Sequence, residues 1–336
     1  MKKPGKILCL CILMIFIVTG PVFSQADIVD LQNALKSFTE AMAKSLPFNS
    51  TVGLNWSDAY IGQITGIPPR LGVGITAGAT LISMNFIKDL VNEFGDFTLP
   101  NIPIGLPLPA YTADIRLGGF ILPFDIGFKV GYLDSSGIGF INSLGVNINY
   151  LLIGGDIRYA LMTRKVIPMK FSIGVGFNHL KTGISTSIFD NSEPMFFGPS
   201  NAYGIQVVES DIGAGWQTTC FELKAQVSFP VAFITPYAGA GLSYSRSKVG
   251  YQVNSPIEIL DDSGTFELIR DFLKTIGVIN FSLIDGFEST MSQTAINLRI
   301  YGGLSFNMPF FKVDLTAMYN IRDSGFGATI GLRFQL

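Results

Sequence analysis

Apolar and polar residues alternate one by one through most of this chain, in runs too long for an ordinary sheet. In the last strand-like run, Phe326, Ala328, Ile330, Leu332, Phe334 and Leu336 share one face, and Gly327, Thr329, Gly331, Arg333 and Gln335 share the other. The same pattern recurs over 72–82, 169–178, 221–229, 295–306 and 310–320. A period of two is the signature of a β-strand whose two faces meet different surroundings. The runs extend over about 10–20 residues, whereas strands of globular proteins usually stop near 5–6.

Alternation alone also fits a half-buried sheet in a soluble sandwich. Composition separates the two cases. Only 14% of residues are charged, mean hydropathy is +0.41, and the chain carries 37 Gly and 28 Phe. That apolar content is not arranged in membrane helices. After residue 24 no stretch reaches the ~18 apolar residues that a spanning helix needs, and VSFPVAFITPYAGAG (227–241) is broken by Pro230 and Pro236. When helices are absent, only a closed barrel satisfies every backbone group in lipid. One face of the runs is apolar with aromatics near the ends, and the other is glycine-rich and charged. This is the division between lipid and lumen. The expected fold is therefore all-β, a transmembrane antiparallel β-barrel.

The first 24 residues have a different character. Lys2, Lys3 and Lys6 precede the apolar run ILCLCILMIFIV (7–18). Gly20-Pro21 then breaks it, and Val22 and Ser24 precede a cut before Gln25. This is the pattern of a cleaved signal peptide. Cleavage removes three lysines and leaves a charge of about −5, which excludes a strongly basic nucleic-acid binder. Cys220 is then the only cysteine, so no intramolecular disulfide is available.

Strands are expected over 70–83, 111–121, 124–134, 144–163, 169–183, 207–229, 232–252, 294–307, 310–321 and 326–336, ten in all. Twelve is the alternative, if 50–64 adds strands and LLIGG (151–155) is a turn. Apolar positions are even at Val146, Ile148 and Tyr150 and odd at Ile157, Tyr159 and Leu161, which suggests a bulge or turn between them. Proline marks short joints at 122–124, 167–169, 229–231 and 308–310. Longer connections fall at 84–110, 135–143, 184–206 and 253–293, the asymmetry of an outer-membrane barrel. The barrel domain is assigned to 70–336, and 25–69 forms an N-terminal plug or periplasmic segment. Within that segment, Ile28, Leu31, Leu35, Phe38, Met42 and Leu46 fall at helical spacing, with Pro47 as the expected stop. The helix could enter the lumen or its mouth, or lie on the periplasmic side. Helical patterns also occur at 83–96 and 258–277, and the proline-rich LPNIPIGLPLPAY (99–111) is expected to pack over the mouth or dip into lipid.

Signs of catalysis are scarce. His179 is the only histidine, so dyads and histidine metal clusters lack a partner. It reads as a rim residue, and Cys220 as a small core residue. There is no G-x-S-x-G, and clusters such as GVGITAG (72–78) are not followed by the helix a dinucleotide site requires. No catalytic residue, metal site or cofactor is assigned. Parity instead places Asp114, Arg116, Asp125, Lys129, Asp156, Arg158, Glu222, Lys224, Arg299, Lys312, Asp314 and Arg333 on the lumen side, five acids and seven bases. They could neutralise one another inside a filled barrel, or line a narrow conduit.

The signal peptide, the alternating strands and the closing GATIGLRFQL resemble Gram-negative-type outer-membrane β-barrel proteins. In that resemblance Gly331, Phe334 and Leu336 correspond to the C-terminal signal read by the barrel-assembly machinery, with Leu336 where the pattern prefers Phe. The helix before the wall also resembles the long-chain fatty-acid transporter family, although the chain is short for that family's strand count. The resemblance implies an outer-membrane location with membrane lipid as the surroundings. Two functions are then open. One is a non-enzymatic, narrow or plugged channel or transporter for small, hydrophobic molecules. The other is an adhesin-like or structural barrel acting through its long loops.

Overall fold

The computed structural model describes residues 25–64, 69–82, 106–134, 146–162, 169–189, 195–197, 203–207, 210–254, 257–260 and 286–336. The signal sequence, the helical pattern at 83–96 and most of that at 258–277 lie outside these residues. After helix α1 (Gln25–Asn49) come β1 (Leu71–Ile82), β2 (Leu106–Gly118), β3 (Phe124–Asp134), β4 (Val146–Met162) and β5 (Lys170–Phe189). Next are β6 (Met195–Phe197), β7 (Tyr203–Val207), β8 (Ser210–Ser228), β9 (Ile234–Asn254) and β10 (Ile257–Leu260), then β11 (Gly286–Asn307), β12 (Phe311–Asn320) and β13 (Gly325–Gln335).

Ten of these strands close into one antiparallel barrel in the order β1-β13-β12-β11-β9-β8-β5-β4-β3-β2. The seam pairs Val73 with Phe334 and Ala79 with Ala328, and the Leu336 amide donates to the Leu71 carbonyl. Closure removes the open edge that lipid would leave unsatisfied. β6, β7 and β10 form a separate three-stranded sheet, so 257–260 is strand where the helical pattern was expected to begin.

Two further features differ from the sequence expectation. LLIGG is neither a turn nor a bulge, because β4 runs through it in unbroken register with β5 from Val146 to Ala160, and the only shift lies beyond Ala160. Tyr150 and Leu152 point into the barrel like Asp156 and Arg158, so the face never changes. The lumen itself is apolar at that height, because α1 packs there. Residues 106–111 of the proline-rich stretch are also strand. β2 pairs with β3 only over Ala113–Gly118, so Pro107 and Pro109 sit where β2 has one barrel neighbour, a position proline tolerates.

The wall is lopsided. β5, β8, β9 and β11 have 20, 19, 21 and 22 residues, whereas β1, β3, β12 and β13 have 12, 11, 10 and 11. A spanning strand needs only about 9–11 residues, so the long strands project roughly as far again beyond the bilayer. Helix α1 leans against the inside of this tall wall, touching β8, β9 and β11. Met42, Ala43 and Leu46 join Leu152, Leu180, Ala214, Trp216, Val249 and Tyr251 in a buried cluster. Pro47 lies within the last turn of α1, which continues to Asn49.

The outer surface carries an apolar belt. Ile75, Phe128, Ile157, Val175, Leu223, Leu298, Leu315 and Ile330 all face outward and are exposed. The belt continues onto the short turns, where Phe120, Ile121, Leu122, Val231, Phe233 and Phe310 are exposed too. Residues that apolar are stable at such positions only in lipid.

Candidate functional site in the barrel lumen

Asn49 donates to Thr80 Oγ1 and the Leu108 carbonyl, both at the long-loop ends of their strands. From there residues 50–61 descend through the lumen, and the chain reaches the short-turn end before β1 begins. Helix α1 thus enters the barrel from the loop side, and 50–64 is lumen filling instead of additional strand. Gly53 turns the chain with φ +85°, and Leu54 follows at φ 58°. Asp114 receives this turn, accepting from the Leu54 amide (3.2 Å), Trp56 Nε1 (3.4 Å), Thr76 Oγ1 (2.8 Å) and Thr112 Oγ1 (2.7 Å).

The twelve charged residues placed inward by parity gather around this segment. Eleven are buried, and the Lys312 side chain retains 21% exposure. Arg116 lies between Asp125 (2.6 Å) and Asp156 (2.8 Å) and donates to the Leu54 carbonyl (3.3 Å). Arg158 pairs with Asp125 (2.8 Å) and donates to the Asp58 carbonyl (2.7 Å). Lys224 pairs with Asp156. Arg299 grips Glu222 (2.5 Å) and reaches Asn55 Oδ1 (3.1 Å). Arg333 pairs with Asp314 (2.7 Å), stands over the Trp56 ring (5.0 Å from its centroid) and donates to Ser57 Oγ (2.5 Å). Lys129 donates to the carbonyls of Ser50 and Val52, just past the end of α1.

Sequence reasoning missed Asp58. Five acids and seven bases leave an excess of two positive charges, and Asp58 offsets one of them from the segment itself. Its carboxylate meets Lys312 (2.7 Å), Arg333 (3.0 Å) and Lys170 (3.4 Å). The available hint was a lone acid in STVGLNWSDAYIGQI, a stretch with no periodicity of its own. Trp56 was equally hidden. It lies against Gly72, where a Cβ would fall 2.5 Å from the ring. Further contacts run from Gln226 to the Trp56 carbonyl (2.6 Å), from the Ala59 amide to Ser228 Oγ (3.0 Å) and from the Ile61 amide to Asp125 (3.1 Å).

Counted by direct polar contacts, the segment is tied to eight of the ten barrel strands: β2, β3, β4, β5, β8, β11, β12 and β13. Two cavities beside it, one at Trp56 and Arg333 and one at Lys129 and Glu222, hold about 10 Å³ each, room for about a single water. His179 faces outward with Nδ1 3.0 Å from Thr219 Oγ1, and Cys220 is buried and free. No cluster of candidate metal ligands occurs among the described residues.

A closed ten-stranded barrel with an apolar outer belt and a polar, filled interior defines a bacterial outer-membrane β-barrel protein. The chain belongs to the Lsa36-like family, whose profile matches residues 32–336. No curated protein matches the sequence. Among solved structures it is similar to the attachment invasion locus protein Ail of Yersinia pestis (10% identity, 80% of this chain and 98% of that one, TM-score 0.28). It is also similar to the outer membrane protease OmpT of Escherichia coli (9%, 80% and 97%, TM-score 0.35). A third is the translocator domain of the autotransporter NalP of Neisseria meningitidis (10%, 91% and 98%, TM-score 0.35). Likeness at this level carries no functional argument, and the resemblance to the fatty-acid transporter family is not shown.

Proposed function

We propose that this protein is a sealed, non-enzymatic outer-membrane barrel whose working part is its loop end: helix α1, the projecting wall and the connections above it. One observation carries this reading. Residues 50–61 occupy the lumen and are bonded to eight barrel strands, and the two cavities described beside them are water-sized. Of the two functions open from the sequence, the filled interior favours a surface-presenting scaffold over a conduit for small molecules. Mutually paired interior charges suit this, since an ion pair removed from water is retained where its geometry and partners are complete.

Planar-bilayer recording tests it. Full-length protein should give no channel steps, and a variant lacking 26–61 that keeps its heat-modifiable gel shift should conduct. Sustained conductance in the full-length protein would overturn the scaffold reading in favour of a channel.

A further inference from the structure

The outer face of the tall wall changes character at one level. Phe177, Phe221, Tyr244 and Ile296 are cross-strand neighbours in one exposed row across β5, β8, β9 and β11, and they form the top of the apolar belt there. The Phe177 and Phe221 rings lie 5.2 Å apart. The next outward row is His179, Thr219, Arg246 and Thr294, and the row above it is Lys181, Gln217, Lys248 and Ser292. None of these eight residues is acidic, and every one can donate a hydrogen bond.

Lys181, Arg246 and Lys248 are exposed. Among the described residues none of the three has an ion-pair partner, whereas the interior Arg116, Arg158, Lys224, Arg299, Lys312 and Arg333 are all paired with carboxylates. Neighbouring strands are about 4.8 Å apart, and successive rows on one face are about 6.6 Å apart along a strand. The three cations therefore fall within about 12 Å of one another, with Gln217 and Thr219 between them. Arg322 flanks the group on the β12–β13 turn, donating to the Ile296 carbonyl, with Asp323 3.9 Å away.

This donor array stands directly above the aromatic end of the belt, on the loop side of the membrane. Its height is that of the outer-leaflet headgroups. We infer that the rows at 179–181, 217–219, 246–248 and 292–294 bind the phosphate groups of an anionic outer-leaflet lipid, whose acyl chains lie on the Phe177–Ile296 row beneath. Charge complementarity and continuity with the belt select a membrane lipid as the occupant. Basic side chains near an anionic membrane surface contribute individually and in a salt-dependent way.

The test uses the refolded full chain in zwitterionic micelles, titrated with fluorescent lipid A, with dephosphorylated lipid A and, in competition, with sodium pyrophosphate. Lipid A should bind about tenfold or more tightly than its dephosphorylated form at low salt, and 0.5 M salt should erase the difference. The K181Q/R246Q/K248Q variant should lose the preference while keeping its heat-modifiable shift. Equal binding by wild type and variant, or equal binding of the two lipids, would overturn the proposal. So would competition by pyrophosphate as strong as by lipid A, since the site would then recognise free phosphate. Salt dependence of the wild type decides the matter even if the variant fails to fold.

Discussion

Asp58 in the lumen segment and Arg333 in the last strand meet at 3.0 Å although they lie 275 positions apart in the chain. The pair joins the part of the chain that fills the barrel to the strand that closes it. Lys312, from the neighbouring β12, meets the same carboxylate at 2.7 Å.

Removing that carboxylate should therefore be costly. Asp58→Ala leaves three cations facing one another, and loss of one partner from a buried ionic cluster costs about 3–5 kcal/mol. Unfolding in urea followed by gel mobility should show the loss. Asp58→Asn should fall between wild type and Ala, because it keeps hydrogen bonds to Lys312 and Arg333 without the charge.

Gly72 leaves room for Trp56. A side chain there would begin 2.5 Å from the indole ring, so Gly72→Val should push Trp56 out of its place between Arg116 and Arg333. In a W216F background, which leaves Trp56 as the sole tryptophan, its emission should shift to the red and become quenchable by iodide. An unchanged spectrum would contradict the packing described.

The direction of threading predicts which part of the chain faces outward. Helix α1 lies on the loop side of the segment that blocks the lumen. An epitope inserted after Gln25 should be accessible to antibody on intact cells, whereas one inserted at Val231-Ala232, in a short turn, should be accessible only after the outer membrane is opened.

Depth along β11 can be measured with arginine. Leu298 lies in the middle of the apolar belt, beside Leu242 in the register, and Ser292 lies in the polar rows above. Leu298→Arg should cost about 2–4 kcal/mol of stability in vesicles and Ser292→Arg about 0–1. Similar costs at the two positions would misplace the membrane boundary.

How much of this could be read without coordinates follows from the range of each interaction. The alternation of Phe326 to Leu336 is local, because successive side chains of any strand point to opposite faces. The sequence by itself therefore determined a two-faced wall of about ten long strands, its apolar outside and the inward set from Asp114 to Arg333. It misled at Tyr150 and Leu152, where apolar residues belong to the lumen in the buried cluster that also holds Met42, Ala43 and Leu46 of α1, so hydrophobicity no longer marks the lipid side. Residues 50–64 carry no period at all. Their conformation is set by Asp114, Lys129, Arg158, Arg299 and Arg333, partners lying 60 to 276 positions away. Only the tertiary structure decided that this stretch fills the barrel, that it enters from the loop side and that Asp58 meets Lys312, Arg333 and Lys170. A pattern with period two reports which face a residue occupies, and the contacts that fill a lumen depend on what closure of the barrel brings together.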